Sequence, residues 1–117
     1  MKILELSGER LDYWVANILG LEGVRLEPDH TCTYIDSRYS VAVRVPFLPS
    51  SDWAHGGPII EHERIELSIV RVDCAKDQWR AISDWTAGVF EADTPLVAAM
   101  RAYVASKFGD EVPDEGR

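Results

Sequence analysis

Apolar residues recur along this chain with two different periods, and the switch between them lays out its architecture. Leu11, Trp14, Val15, Ile18 and Leu19 follow the i, i+3, i+4, i+7, i+8 spacing of one buried helix face. Ser7 suits the N-cap, and Leu6 and Leu11 are placed to form a hydrophobic staple across it. Arg10 stands where a capping box would put Glu, so no box forms. Glu9 and Asp12 are expected to face water. Gly20 supplies the left-handed residue that stops the helix. A second helix is marked near the other end. Thr94 is its N-cap, Pro95 its first residue, and Leu96, Met100, Tyr103, Val104 and Phe108 its apolar stripe. Lys107 lies in its last turn and Gly109 closes it.

Between the helices the period falls to two. Residues 21–30 read as a loop with a short extended piece. "TCTYI" (31–35), "DSR" (36–38) and "YSVAVRV" (39–45) read as strand, turn and strand, a β-hairpin that Pro46 ends. Residues 49–63 read as a structured loop. "RIELSIVRVD" (64–73) is the next strand, with Ile65, Leu67 and Ile69 expected toward the core. Val70 and Val72 then fall on the opposite parity, which requires a bulge or cover on both faces. "CAKD" is a connector, "QWRAIS" (78–83) a strand with Trp79 and Ala81 inward, and 84–93 a loop. Short turns between strands imply an α+β fold: an antiparallel sheet of three to five strands, with the N-terminal and C-terminal helices packed on one face.

The 117 residues suit a single domain, expected over 1–109. A flexible acidic tail is expected over 110–117, which carries Asp110, Glu111, Asp114 and Glu115. Twenty acids against twelve bases give a net charge of −8, which disfavours nucleic acid as a partner because there is little to neutralise phosphate. Acidic mimicry of nucleic acid would need a regular row of acids, and these are scattered. Arg38, Arg44, Arg64, Arg71 and Arg80 fall on or near strands; gathered on one face they would reopen the question. No apolar run approaches a membrane span. "MKILELSGER" lacks the apolar core of a signal peptide, and Cys32 and Cys74 form no CxxC. A cytoplasmic location with both thiols reduced is expected.

The chemistry-bearing residues concentrate in "PSSDWAHGGPIIEHE" (49–63). His30, Cys32, His55, His62 and Cys74 could ligate metal, but nothing in their spacing brings three together, so no metal and no cofactor is expected. Ser50 or Ser51 with Asp52 and His55 supplies the residue types of a catalytic triad. So local a cluster is turn chemistry far more often than catalysis, so no catalytic residue is assigned. Trp53 and Trp85 stand in segments read as loops, where a large aromatic either seals the core edge or anchors a partner.

Three segments, "LDYWVA" (11–16), "PSSDWAHGGPIIE" (49–61) and "TPLVAAMRAYVASKFGDEV" (94–112), resemble the NinX-like proteins of tailed phages and prophages. The middle segment, Pro-Ser-x-x-Trp leading to Gly-Gly-Pro, is the specific one. His55 departs from the pattern, which has a polar amide there, and this weakens any reading of His55 as acid, base or ligand. The resemblance implies phage or prophage origin and action in the bacterial cytoplasm. It carries over no activity, cofactor or catalytic residue.

The resulting expectation is an accessory protein that binds a host or phage protein without catalysing a reaction. Its candidate binding loop comprises Trp53, His55, Gly56, Gly57, Pro58 and Glu61. The alternative is a small-molecule or enzymatic site on the same loop, where two glycines permit close approach of a ligand. A homodimer through an exposed edge at 39–45 is a further expectation.

Overall fold

The computed structural model describes residues 1–38, 41–71 and 77–113. After a 3-10 turn at Ile3–Glu5, the chain forms α1 (Gly8–Ile18), β1 (Arg25–Leu26), β2 (Cys32–Asp36) and β3 (Val43–Pro46). It continues through α2 (Trp53–Glu63), β4 (Glu66–Arg71), β5 (Asp77–Ile82), β6 (Phe90–Ala92) and α3 (Pro95–Phe108). The fold is α+β and every strand pair is antiparallel. The strands divide between two three-stranded sheets, ordered β1-β2-β3 and β4-β5-β6.

Helix α3 is the centre of the molecule. Ala98, Ala99, Met100, Ala102, Tyr103, Val104 and Ala105 are all buried, so it is enclosed on nearly every side. Its alanines let neighbours approach closely, and α1, α2, β5 and β6 all pack on it. Of the expected stripe, Leu96, Met100, Tyr103 and Val104 are buried. Phe108 is partly exposed but sets its ring edgewise on Trp14, with centroids 5.3 Å apart. Thr94 caps α3 as expected, its hydroxyl accepting from the Val97 N–H at 3.2 Å.

Helix α1 follows the sequence reading in its apolar face as far as Ile18; Leu19, expected on the same face, is the C-cap and is 42% exposed. Leu6 and Leu11, the staple pair, are fully buried, as is Val15. Two further expectations fail. Ser7 occupies the N-cap but its hydroxyl makes no capping bond. Asp12, expected in water, is only 2% exposed.

In the first sheet Tyr34 pairs with Val45 and Thr33 with Pro46, so the expected hairpin is present. Its second strand begins only at Val43; Val41 is exposed and unpaired, and residues 39–40 lie outside the described residues. Pro46 is tolerated because β3 is an edge strand. In the second sheet Ile65 is buried and Leu67 half-buried, but Ile69 is 49% exposed because β4 is also an edge. Most of the connector "CAKD" falls outside the described residues. The stretch 84–93, expected as loop, contains β6. Its three residues alternate buried Phe90, exposed Glu91 and buried Ala92, a pattern too short to stand out.

The largest correction concerns residues 49–63. They are a turn followed by a helix, not a loop. Asp52 starts α2 by accepting from the Ala54 N–H at 2.9 Å. Gly56, Gly57 and Pro58 then lie inside the helix. Each lowers helix propensity, and Pro58 also removes one intrahelical donor. Tertiary contacts outweigh that cost: Gly56 and Ile59 are buried against the rest of the fold.

The termini are strapped together. The Met1 ammonium donates to the Val112 carbonyl at 2.9 Å. The Val112 N–H returns a bond to the Met1 carbonyl at 2.8 Å, and Ile3 N–H donates to Asp110 at 3.0 Å. Val112 is buried. Residues 110–112, the first part of the expected tail, are thus built into the fold. Among the described residues no helix is long and apolar enough to cross a membrane.

Candidate functional site

The three helices begin at one place. Their first turns surround a cleft of about 650 Å³. Helix α1 contributes Gly8, Glu9 and Asp12. The turn into α2 contributes Leu48, Ser50, Ser51 and Trp53. Helix α3 contributes Thr94, Pro95, Leu96 and Val97, and His30 closes the rim. The volume lies within the range of ligand pockets, roughly 300–1,000 Å³.

Asp12 ties two of these walls together. Its Oδ1 accepts from the Ser50 N–H at 2.8 Å. The Ser50 hydroxyl lies 3.5 Å from the Gly8 carbonyl, toward which it donates. Burial pushes the Asp12 carboxyl up to about 6; the bonds from Ser50 oppose the shift and the nearby Glu9 charge adds to it. On its other side the same turn is held by His55, whose Nδ1 accepts from the Leu48 N–H at 2.8 Å. The His55 ring stacks on Phe47 with centroids 5.5 Å apart. The turn is therefore fixed from both flanks.

Gly56 explains why the segment is so particular. A Cβ there would stand 2.4 Å from the Pro49 carbonyl oxygen and 2.7 Å from the Leu96 side chain. Only glycine lets α2 lie this close to the turn and to α3. Trp53, one helical turn earlier, is 53% exposed and lines the cleft. It does not seal the core.

The chain matches the family model for bacteriophage P22 NinX over residues 2–107. It belongs to the NinX family. This makes it a phage-encoded protein, as the segment resemblances implied. No curated protein matches the chain. The NinX match takes in both sheets, α1, α2 and all but the last residue of α3, so every wall of the cleft lies inside it.

Of the six candidate residues, only Trp53 lines this cleft. His55 and Pro58 line a separate groove of about 370 Å³ beside Phe47 and Tyr103. Gly56 is buried as a packing residue, Gly57 is half-buried, and Glu61 is exposed. Of the triad-like set, the Ser50 hydroxyl faces the Gly8 carbonyl, Asp52 caps its own helix and His55 accepts from Leu48, while Ser51 is exposed on the cleft. Among the candidate ligands, His30 pairs with Glu9 at 3.4 Å and His62 with Glu63 at 2.8 Å. Cys32 is buried, and burial, with Asp12 adding to it, pushes its thiol up to about 12, far from a reactive thiolate. Cys74 lies outside the described residues. Among the described residues no three His, Cys, Asp or Glu side chains converge to hold a metal.

Among the described side chains, these arginines are divided between the two sheets and the end of α2. Arg44 donates to the Gly23 carbonyl and the Thr33 hydroxyl in the first sheet, and Arg38 to Asp36. Arg80 belongs to the second sheet and Arg64 to the end of α2; the Arg71 side chain is outside the description. Asp12, Glu9 and the first turn of α3 were read only as helix residues, not as parts of a site. The starts of α1 and α3 were legible on their own; that of α2, read as loop, and the convergence of all three are tertiary.

Proposed function

We propose that this NinX-family chain is a non-enzymatic accessory protein that acts in the host cytoplasm by binding a host or phage protein at the cleft. The supporting observation is Trp53. A large aromatic side chain stands half in solvent on a helix locked by Gly56 and Pro49, beside a concave surface. Rigid, partly exposed tryptophans next to a hollow are the residues that dominate protein interfaces. The base and acid types nearby, His55 and Asp52, already serve the fold, which favours binding over catalysis.

The test is affinity capture from phage-infected cells with wild type and Trp53→Ala. A specific partner should be held by the first and lost by the second, with both giving the same circular dichroism. Equal capture by the two proteins would remove Trp53 from the interface. A second reading, a small-molecule site, is favoured by the cleft volume. A panel of host metabolites that raises the melting temperature of wild type but not of Trp53→Ala would select it.

A further inference from the structure

The cleft has an unusual charge pattern for a meeting point of helix starts. Helix N-termini carry partial positive charge and commonly hold anions. Two of the three starts already have their own acceptor: Asp52 caps α2, and Thr94 caps α3 with Asp93 beside it. The start of α1 has no side-chain cap, but it carries Glu9 in its first turn and Asp12 just after. No Lys or Arg is among the cleft's lining residues, and its one basic side chain, His30, leans on Glu9 at 3.4 Å. The chain as a whole carries a net charge of −8. A phosphate or carboxylate would enter against this field without a counter-charge. A cation would be drawn to it.

The rest of the lining fits the same kind of guest. Leu48, Pro95 and Val97 are half-buried and offer an apolar wall, while Trp53 is exposed beside them. Long cationic side chains lay an apolar stem along such a wall and keep their charge at its edge. A guanidinium gains further by stacking on an indole and by paired bonds to a carboxylate. The Glu9 side chain, about one-third exposed, is the carboxylate open to it. The volume exceeds one side chain, so neighbouring residues of the guest enter too.

Resting on the protein-binding reading above, we infer that the cleft recognises an arginine-bearing segment of the partner protein, with the cationic charge shared by the Trp53 ring and the Glu9 carboxylate. The guest displaces His30 from Glu9 and leaves Asp12, which is committed to Ser50, in place.

The probe is a pair of short peptides, acetylated and amidated, identical except for a central Arg or Glu between leucines. Each is titrated at low ionic strength into nitrogen-15-labelled protein. The Arg peptide should give saturable shifts at the amides of Gly8, Ser51, Trp53 and Leu96, and added salt should weaken it. Glu9→Gln and Trp53→Ala should each weaken it roughly tenfold, and Trp53→Phe should restore part of the loss. Amide dispersion like that of wild type certifies each variant as folded. Equal binding of the Glu peptide overturns the inference. So does the lack of saturable shifts with the Arg peptide, shifts elsewhere on the surface, or indifference to Glu9→Gln. A single-stranded oligonucleotide shifting the same amides would also overturn it. If Trp53→Ala loses the captured partner while the Arg peptide does not bind, protein binding stands and the cationic guest falls. If Trp53→Ala captures normally, the underlying reading falls.

Discussion

The backbone carbonyl of Pro49 and the Cα of Gly56 approach so closely that a methyl group on Gly56 would stand 2.4 Å from the Pro49 oxygen. Backbone cannot swing aside as a side-chain tip can, so Gly56→Ala must push α2 away from the turn. Overpacking of this kind costs about 1–3 kcal/mol, and the gain in helix propensity does not offset it. Gly57 is the control. A Cβ there meets only Trp53 at 3.9 Å, an ordinary contact. Gly57→Ala should stabilise by roughly 0.5–1 kcal/mol through helix propensity. Urea unfolding of the two variants should move in opposite directions.

Asp12 sets a pH dependence. Its folded-state carboxyl titrates at about 6 against an ordinary value of 3.8. The folded protein therefore holds the proton more tightly than the unfolded chain. The stability from this group is complete below 3.8 and is lost as pH rises through about 6, a change of about 3 kcal/mol at most. Asp12→Asn keeps an acceptor for the Ser50 N–H without the charge. Its stability should gain on wild type as pH goes from 4 to 7, and the difference between the two denaturation curves isolates Asp12 from other carboxylates. Asp12→Ala should instead lose about 1–3 kcal/mol, because the Ser50 N–H is left buried without a partner.

What could be read in the sequence, and what could not, divides by the range of the forces involved. Leu11, Trp14 and Val15 announce α1 because their spacing is a local consequence of burying one face. Thr94 and Pro95 announce α3 because caps are local too. The Gly-Gly-Pro run announced a loop by the same local logic and was a helix, because its glycine is selected by Pro49 and Leu96 across the fold. Asp12 occupies the polar flank of an amphipathic helix, and tertiary neighbours, residue 50 among them, bury it. Ile69 carries the alternation of a buried strand but lies on an edge. The specific segment was recognisable as special, yet its chemistry-rich side chains proved structural. The surface it helps build, the cleft at three helix starts, has no signature in any one segment.

His55 has a fixed tautomer. Its Nδ1 accepts the Leu48 N–H, so the ring proton of the neutral form sits on Nε2. Long-range proton–nitrogen NMR should show an unprotonated Nδ1 and a protonated Nε2. His55→Ala should cost about 1–3 kcal/mol by leaving the Leu48 donor without its acceptor and by removing the stack on Phe47. His55→Gln can supply a side-chain acceptor in the same direction and should recover part of the loss. Failure of Gln to recover any would place the cost in ring stacking instead.

The strap between the termini makes a last prediction. Val112 is buried, and the Met1 ammonium and carbonyl bond its carbonyl and N–H. Removing residues 110–117 exposes the apolar ground under Val112 and leaves Ile3, fully buried, without the Asp110 acceptor. Burying one valine is worth about 1.5–3 kcal/mol, and the truncated chain should be less stable by at least that much. Val112→Ala should lose roughly 1 kcal/mol or more with every backbone bond intact.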